Sequence, residues 1–291
     1  MIATKDRPRL VREAVASVLA GSAQPTEILV VDQSAVPAEL ELPGERDGLA
    51  VRTLAAPALG VSAGRNRGIA AASHEIVVMI DDDMLVERDW FGALVDGLVR
   101  GGARCVVTGR VVPGAPEMRR GFTPASAVSE EPAAYRGRIG MDVLAGGNMA
   151  ARKKDLVEVG LFDERLGPGT AHPAAEDNDL GYRLLEAGYE IVYLPGATAI
   201  HRAWRSDGDY LRYRWRYGRG KGGFYTKHLS LDDRYMLGRM SGDIGNRARR
   251  FPRSLLRRRR LAAGDVAYSA GILAGATSWM LKERVRRRGG P

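Results

Sequence analysis

The sequence predicts an α/β fold, a mainly parallel mixed sheet flanked by helices, followed by a basic helical C-terminal extension. Apolar runs typical of buried strands alternate with amphipathic helical segments through the first two hundred residues. The charge balance then reverses: residues 1–200 hold 21 Lys and Arg against 28 Asp and Glu, whereas residues 201–291 hold 23 against 7. We therefore expect an α/β domain over residues 1–205 and a basic helical region over residues 206–291.

The first elements are predicted from turn and capping residues. Asp6 is the expected N-cap of a first helix, Pro8 fits its first turn and Gly21 ends it. Only residues 1–3 precede this turn, which is short for the first strand of a buried sheet, so we expect the natural chain to begin several residues upstream. Further strands are predicted at 27–31, 76–80, 105–111 and 191–194, further helices at 62–72, 90–99, 153–159 and 180–187, and a long irregular loop at 113–140.

Three consecutive carboxylates, Asp81–Asp83, follow the apolar run 76–80. Their mutual repulsion costs stability, and a bound divalent cation would offset that cost. Because alternate side chains of an extended chain share a face, Asp81 and Asp83 are predicted to point into one cleft and Asp82 away from it. Two carboxylates together with diphosphate oxygens suit Mg²⁺ or Mn²⁺. An acidic turn that caps the next helix is the alternative.

Other polar residues are predicted at strand ends and helix starts: Asp32, Arg65, Glu176-Asp177 and His201. In a parallel sheet the ligand cleft lies at the carboxyl ends of the strands, so these positions favour a binding site. Each also has an ordinary structural explanation, such as a turn cap, a solvated arginine, an acidic helix start or a structural histidine. A single cysteine, Cys105, excludes a disulfide framework and a cysteine-rich zinc site.

The order and spacing of these motifs decide between the explanations. From Thr4 to about Trp204 the chain resembles the inverting family-2 glycosyltransferases, which have the Rossmann-like GT-A fold. Lys5 and Gln33 depart from the family pattern, where an aromatic residue and a second acid are common. The motifs that carry the resemblance are Ile2–Pro8, Ile28–Asp32, Gly64–Gly68, Asp81–Asp83, Gly147–Met149, Glu176-Asp177 and His201.

The resemblance implies transfer of a sugar from a nucleoside-diphosphate sugar to a glycan or lipid-linked acceptor, in cell-envelope polysaccharide synthesis. It implies Asp177 as the general base, with Glu176 orienting the acceptor or the base, and Asp179 is a further candidate for the base. The implied donor-binding residues are Thr4, Asp32, Arg65, Asp81, Asp82 and Lys221. The implied acceptor-binding residues are Gly147, Asn148 and Trp204, and the implied ligands of Mg²⁺ or Mn²⁺ are Asp83, Asp81 and His201.

Two other functions fit parts of the sequence. A nucleotidyltransferase shares the fold type and the metal carboxylates, but it would want a glycine-rich, Lys-bearing loop after the first strand, and Thr4–Arg9 holds no glycine. A non-catalytic protein that binds anionic membrane or nucleic acid fits the basic tail. Without a metal, Asp81–Asp83 and Glu176-Asp177 would repel phosphate, so nucleic acid is not an expected partner.

The basic tail contains two distinct segments. Tyr210–Lys227 is predicted as a helix with a glycine-rich loop at 218–223. This loop, with Lys221, could close over the donor diphosphate or meet a phosphorylated lipid acceptor, and a helix with a solvated cationic face is the alternative. Residues 261–281 are mostly apolar, lie between arginine clusters and contain Asp265 on their apolar stripe. We expect this segment to lie on an anionic leaflet at the cytoplasmic face of the plasma membrane, or to dock on the body with its basic ends on lipid, rather than to span the membrane, and a solvated tail is the alternative.

Overall fold

The structure is a computed structural model that describes residues 1–36, 48–116, 120–123, 127–202 and 204–288. Its chain forms two compact units. Unit 1 consists of Met1–Glu164 and Asp177–Arg205, and unit 2 consists of Arg165–Glu176 and the chain from Ser206 onwards. The second unit therefore includes a segment from the middle of the sequence.

A mixed sheet forms the centre of unit 1. The strands of the chain are β1 (Ile2–Thr4), β2 (Glu27–Asp32), β3 (Ala50–Ala55), β4 (Ile76–Asp81), β5 (Met84–Val86), β6 (Cys105–Pro113), β7 (Gly121–Phe122), β8 (Ala133–Tyr135), β9 (Asn148–Arg152), β10 (Glu190–His201) and β11 (Arg205–Ser206). The order in this sheet is β3-β2-β1-β4-β9-β6-β10-β5, with β8 paired to β10. Strand β9 runs antiparallel to both β4 and β6, whereas β1, β2, β3 and β4 are parallel neighbours, as are β6 and β10.

Helices cover both faces of this sheet. The helices of the chain are α1 (Pro8–Leu19), α2 (Val61–Ala71), α3 (Trp90–Arg100), α4 (Lys153–Glu158), α5 (Glu176–Glu186), α6 (Tyr210–Lys227), α7 (Tyr235–Arg257) and α8 (Arg259–Arg288). Strand β4 is buried on both sides, because Val78 and Ile80 pack with residues of α1 and α3. On the other face, Val77 and Met79 pack with residues of α2, α4 and α5. This arrangement confirms the predicted α/β class with its helical C-terminal region.

Several predicted boundaries were wrong. The edge strands β3 and β5 were not predicted, and short strands β7 and β8 interrupt the loop expected at 113–140. Asp6 is not the N-cap of α1, because Arg7 holds that position. Asp6 instead adopts a left-handed backbone conformation with φ of 56°, and its amide donates to Ser34 Oγ at 2.8 Å.

Unit 2 is built on close contact between α6 and α8. Gly218 of α6 lies against Gly271 of α8, and a Cβ atom on Gly222 would be 2.1 Å from the carbonyl oxygen of Ile272. The prediction of a glycine-rich loop at 218–223 was therefore wrong. The facing helix backbone leaves no room for side chains at these positions, so glycine is what allows the two helices to pack this closely.

No described helix carries an apolar stretch long enough to cross a bilayer. Asp265, which interrupts the apolar stripe of 261–281, is buried in unit 2. Its carboxylate is bound by Arg214 of α6 and by Arg250 of α7. The predicted conflict between this charge and the apolar stripe is thus resolved by ion pairing inside the helical unit.

Candidate active site

The carboxyl ends of neighbouring strands bring the first predicted site residues together. Thr4 is paired in register with Asp32 at the ends of β1 and β2, and Ala3 is paired with Asp81 at the end of β4. His201 ends β10 and pairs with Met84, the residue that directly follows the acidic triplet. The strand topology therefore fixes four predicted polar positions along one edge of the sheet.

A buried arginine joins two of the predicted carboxylates. Arg65, on α2, donates from Nη2 to Asp81 Oδ1 at 2.7 Å and from Nη1 to Asp177 Oδ1 at 2.9 Å. Its side chain is 4% exposed, and its guanidinium carbon lies 5.1 Å from the ring centre of Phe162. This fork brings the end of β4 and the start of α5 to one point, although Arg65 and Asp177 are 112 residues apart in sequence.

Two glycines make room for this arrangement. A Cβ atom on Gly146 would lie 2.2 Å from Asp177 Oδ1, and one on Gly147 would lie 2.2 Å from Asp81 Oδ2. The loop before β9 therefore passes directly over both carboxylates, and any side chain there would displace them. Gly147 was predicted as an acceptor contact, and Gly146 was missed.

Burial and charge act against each other at Asp177. Burial raises the pKa of the Asp177 carboxyl, and the nearby Asp81 carboxylate raises it further, whereas Arg65 and the Gly146 amide lower it. The raised pKa makes Asp177 a stronger proton acceptor than a solvated aspartate. Arg65 favours the ionised form that can accept a proton.

The rest of the acidic triplet surrounds a second arginine. Arg7 Nη1 donates to Asp82 Oδ1 at 3.0 Å and to Asp83 Oδ2 at 3.1 Å. Asp82 Oδ2 also accepts from Thr4 Oγ1 at 2.7 Å. The predicted alternation, with Asp82 pointing away from its neighbours' cleft, was wrong because residues 82 and 83 lie in a turn, where strand alternation does not hold.

The two carboxylates of this turn differ in proton affinity. Burial raises the pKa of Asp82 to about 6, against the opposing effect of Arg7. Burial also acts on Asp83, but hydrogen bonding and charge from His201, with Arg7 and Arg205, lower its pKa below the usual value. Asp83 is therefore the carboxylate of the pair that stays ionised most readily.

Asp83 and His201 form the part of the site that fits a cation. His201 Nε2 lies 3.4 Å from Asp83 Oδ1, and both side chains are largely buried. Among the residues that the structure describes, no group of three or more His, Cys, Asp or Glu side chains could hold a metal ion by itself. One carboxylate and one imidazole do suit Mn²⁺ or Mg²⁺ if diphosphate oxygens and water complete the coordination.

Other predicted site residues have structural partners. Asp32 is 1% exposed, and its Oδ1 accepts from the amide and the hydroxyl of Ser34 at 2.9 and 2.5 Å. Asn148 is fully buried and bonds with Trp90 Nε1 and with the carbonyl oxygens of Arg110 and Ala197. These bonds orient the Asn148 amide within the core, so the predicted acceptor contact gains no support.

The remaining predicted residues have contacts of their own. Trp204 donates from Nε1 to the Gly114 carbonyl at 3.2 Å. Asp179, the further candidate for the base, is fully buried and paired with Arg183. Glu176 is the last residue of the middle segment of unit 2 and is buried. Lys221 lies in α6 with its Nζ 5.0 Å from the ring centres of Phe224 and Tyr225.

Sequence reasoning missed two contributors to the site besides Gly146. Arg7 lies inside the motif Ile2–Pro8, directly after the first strand. A cation at this strand end could have been expected to pair with the carboxylates predicted at the same edge of the sheet. Ser34 stands two residues after Asp32, the spacing at which a hydroxyl commonly bonds a neighbouring aspartate in a turn. The Ser34 signal is local, whereas the Arg7 signal depends on knowing which strand ends are adjacent.

The sequence model of the family Glycosyl transferase family 2 matches residues 1–160. The chain belongs to glycosyl transferase family 2. A glucosyl-dolichyl phosphate glucuronosyltransferase of Haloferax volcanii is 28% identical over 171 residues, which are 53% of this chain and 52% of the relative. The chain therefore spans about half the length of this curated relative.

Solved structures agree on the fold of this family-2 chain. A mannosyltransferase from Pyrobaculum calidifontis, in complex with GDP-Man and Mn²⁺, superposes with a TM-score of 0.60 at 14% identity, over 95% of this chain and 85% of that chain. GalNAc-T7 with UDP, GalNAc and Mn²⁺ superposes with a TM-score of 0.54 at 18% identity, over 83% of this chain and 53% of that chain. These likenesses identify the fold as GT-A.

Proposed function

We propose that this protein is an inverting glycosyltransferase that moves a sugar from a nucleoside-diphosphate sugar to a hydroxyl of a glycan or lipid-linked acceptor, in cell-envelope polysaccharide synthesis. The observation that carries the proposal is the Arg65 fork, which holds Asp177 beside the strand end that bears the acidic triplet. The proposed base therefore lies next to the strand end that we propose binds the donor diphosphate. The solved relatives bound to GDP-Man or UDP support this class of donor.

Asp177 is the proposed base. Its carboxylate accepts the proton of the acceptor hydroxyl while that oxygen attacks the anomeric carbon of the donor sugar. The bond between that carbon and the diphosphate oxygen breaks, and its electron pair leaves with the nucleoside diphosphate. Because attack and departure occur on opposite faces, a single displacement inverts the anomeric configuration. Glu176, next in the chain, is proposed to orient the acceptor.

The donor is proposed to bind along the strand ends. Thr4 and Asp32 would contact its nucleoside, and Asp81 would contact its ribose. Asp83 and His201 would hold a Mn²⁺ or Mg²⁺ ion, which when bound neutralises charge on the departing diphosphate. Asp82 supports this turn through Thr4 and Arg7. Nucleotidyl transfer is less well supported, because the segment after the first strand, Thr4–Arg9, includes Arg7 but no glycine.

Thermal unfolding with nucleotides tests donor binding. A nucleoside diphosphate with Mn²⁺ is expected to raise Tm, Asp83→Ala to abolish the rise, and Asp96→Ala to keep it. Asp96 is an exposed carboxylate on α3 and is the matched control. A hydrolysis assay over a panel of nucleotide sugars then identifies the base and sugar. If no nucleotide shifts Tm with metal, the glycosyltransferase proposal is wrong.

We also propose that unit 2 binds the anionic cytoplasmic face of the plasma membrane through α8. The outward side of this helix exposes apolar side chains: Val266, Leu273, Met280 and Leu281 are 44–57% exposed. Between Leu261 and Leu281 the single charged residue is the buried Asp265, so the exposed stripe is uncharged over about 30 Å. Exposed basic residues flank it, with Arg258–Arg260 before and Lys282 and Arg284 after.

Vesicle sedimentation tests this surface. The protein is expected to pellet with vesicles that contain phosphatidylglycerol, less with phosphatidylcholine alone, and less again at high salt. Leu273→Glu is expected to release it, whereas Leu231→Glu, which changes an exposed leucine of the α6–α7 connection, is expected to leave binding unchanged. Equal binding by the two variants would show that α8 does not form the contact.

A further inference from the structure

The segment Arg165–Glu176, here called the arm, connects unit 2 directly to the proposed base. It belongs to the same compact unit as the C-terminal helices. The next residue along the chain is Asp177, and helix α5 begins at Glu176. Asp177 is therefore joined by one peptide bond to a segment of the C-terminal unit.

Aromatic and charged contacts attach the arm to α8. Arg165 Nη1 donates to Glu283 Oε1 at 2.7 Å, and its guanidinium carbon lies 4.4 Å from the ring centre of Trp279. The ring of His172 meets the same Trp279 edge-on, with centres 5.0 Å apart. Trp279 thus packs against two residues of the arm, Arg165 and His172.

His172 is buried at this contact, with its side chain directed at α8. Its Nε2 lies 3.3 Å from the Gly275 carbonyl oxygen, and the residue is 2% exposed. Burial lowers the pKa of His172, with further lowering by Lys282, Arg219 and Arg165 against the Gly275 bond. The imidazole is therefore neutral near pH 7, and Nε2–H donates to Gly275.

Helix α6 supports the other side of the arm through glycines. A Cβ atom on Gly220 would lie 2.5 Å from the Ala174 carbonyl oxygen, and one on Gly223 would lie 2.8 Å from His172 Cδ2. The arm thus rests on helix backbone, a contact with little freedom to shift. Glycines in α6 serve two contacts, with α8 and with the arm.

The last turn of the arm is conformationally constrained. Ala174 donates its amide to the His172 carbonyl at 2.8 Å, and Ala175 has a φ of 74°. An alanine in this left-handed region is strained and persists only where surrounding contacts impose it. Ala175 is two residues before Asp177, so this constrained turn directly precedes α5.

We propose that His172 and Trp279 are positioning residues for the base: α6 and α8 fix the arm, and the arm fixes Asp177. This inference rests on the proposed function. It assigns unit 2 a role in the transfer step, whereas the proposed donor residues Thr4, Asp32 and Asp83 belong to unit 1. A displacement of about 1 Å at a reacting group can lower a rate by about 100-fold.

The test compares Trp279→Ala with Trp279→Phe and Val285→Ala. Trp279→Ala is expected to lower kcat of transfer by about 10- to 100-fold, with the Kd of the nucleoside diphosphate within about twofold of wild type. Trp279→Phe keeps a ring against His172 and is expected to restore most of kcat. Val285→Ala alters an exposed residue of the same helix, beyond the apolar stripe that ends at Leu281, and is the matched control.

Hydrogen exchange adds a readout that does not require activity. Amides of residues 167–177 are expected to exchange faster in Trp279→Ala and at the wild-type rate in Val285→Ala. Unchanged kcat and unchanged exchange in Trp279→Ala would overturn the inference, as would a parallel loss of nucleotide binding. A wild-type protein that binds no nucleotide would instead refute the proposed function, and the exchange result would still decide whether Trp279 holds the arm.

Discussion

Two buried clusters of arginine and aspartate, one in each unit, have opposite stoichiometry. In unit 1 a single arginine, Arg65, is shared by Asp81 and Asp177. In unit 2 a single aspartate, Asp265, is surrounded by three arginines. These are Arg214, Arg247 and Arg250, at 3.2, 3.8 and 2.5 Å.

The origin of the partners explains what each cluster does. Asp265 is on α8, whereas its arginines come from α6 and α7, so the ion pairs tie three helices together. Arg247 also covers the ring of Tyr268 at 3.9 Å. In unit 1 the carboxylates are in excess, and an excess of partly buried carboxylates suits proton transfer and cation binding. Arginine and aspartate thus stabilise the helices of unit 2 and form part of the candidate active site of unit 1.

The largest expected effect is on the carboxylate-rich cluster. Asp177→Asn keeps the shape of the side chain but removes the proton acceptor, so kcat is expected to fall by about 10²–10⁴-fold. Nucleotide binding, measured by the Tm shift, should remain. Asp96→Asn is the control. Equal kcat for Asp177→Asn and wild type would exclude Asp177 as the base.

The pH dependence of kcat sharpens this prediction. A base is inactive when protonated, so activity falls as the pH drops through its pKa. Because burial raises the pKa of Asp177, the acid limb should lie above the value near 4 of an ordinary aspartate. A limb at or below pH 4 would contradict that assignment.

The arginine-rich cluster is expected to respond in stability. Asp265→Ala leaves three arginines without their shared carboxylate and should lower the free energy of unfolding by about 3–5 kcal/mol. Urea unfolding followed by helical circular dichroism measures the change. Asp207→Ala breaks an exposed pair with Arg260 and should cost less than about 1 kcal/mol. Similar losses in the two variants would mean that the Asp265 cluster is not a structural centre.

Replacing Asp82 is expected to raise the free energy of unfolding, whereas replacing Asp265 lowers it. Its folded-state pKa, about 6, is above the unfolded value of 3.8, so the folded state binds more protons between these values and loses stability as pH rises through them. With EDTA present, Asp82→Asn should therefore stabilise the protein at pH 7.5 by about 1–3 kcal/mol. The gain should vanish near pH 4. Destabilisation at pH 7.5 would show that the charge of Asp82 is favourable.

The smallest effect is expected for a solvated ion pair. Arg138 and Glu186 form two hydrogen bonds at 2.7 and 2.9 Å, but both side chains are substantially exposed. Glu186→Gln should change the free energy of unfolding by less than about 1 kcal/mol. A larger loss in urea unfolding would indicate that geometry outweighs solvent screening at this site.

The sequence predicts the position of site residues better than their partners. Asp32, Asp81 and His201 could be placed because parallel strands end at a common edge. The Arg65–Asp177 pair could not, because its members are 112 residues apart and meet only through the tertiary fold. The prediction of a loop at 218–223 was also wrong because of tertiary contacts, since helix packing outweighed the low helix propensity of glycine.

Arg7 gives the acidic edge a counter-ion of its own. Its guanidinium contacts Asp82 and Asp83, so two of the three carboxylates of this edge have a fixed positive charge beside them. If the proposed cation binds Asp83, it must compete with this guanidinium. We expect weak binding of the ion alone and much tighter binding together with a diphosphate, which makes the donor itself the trigger for loading.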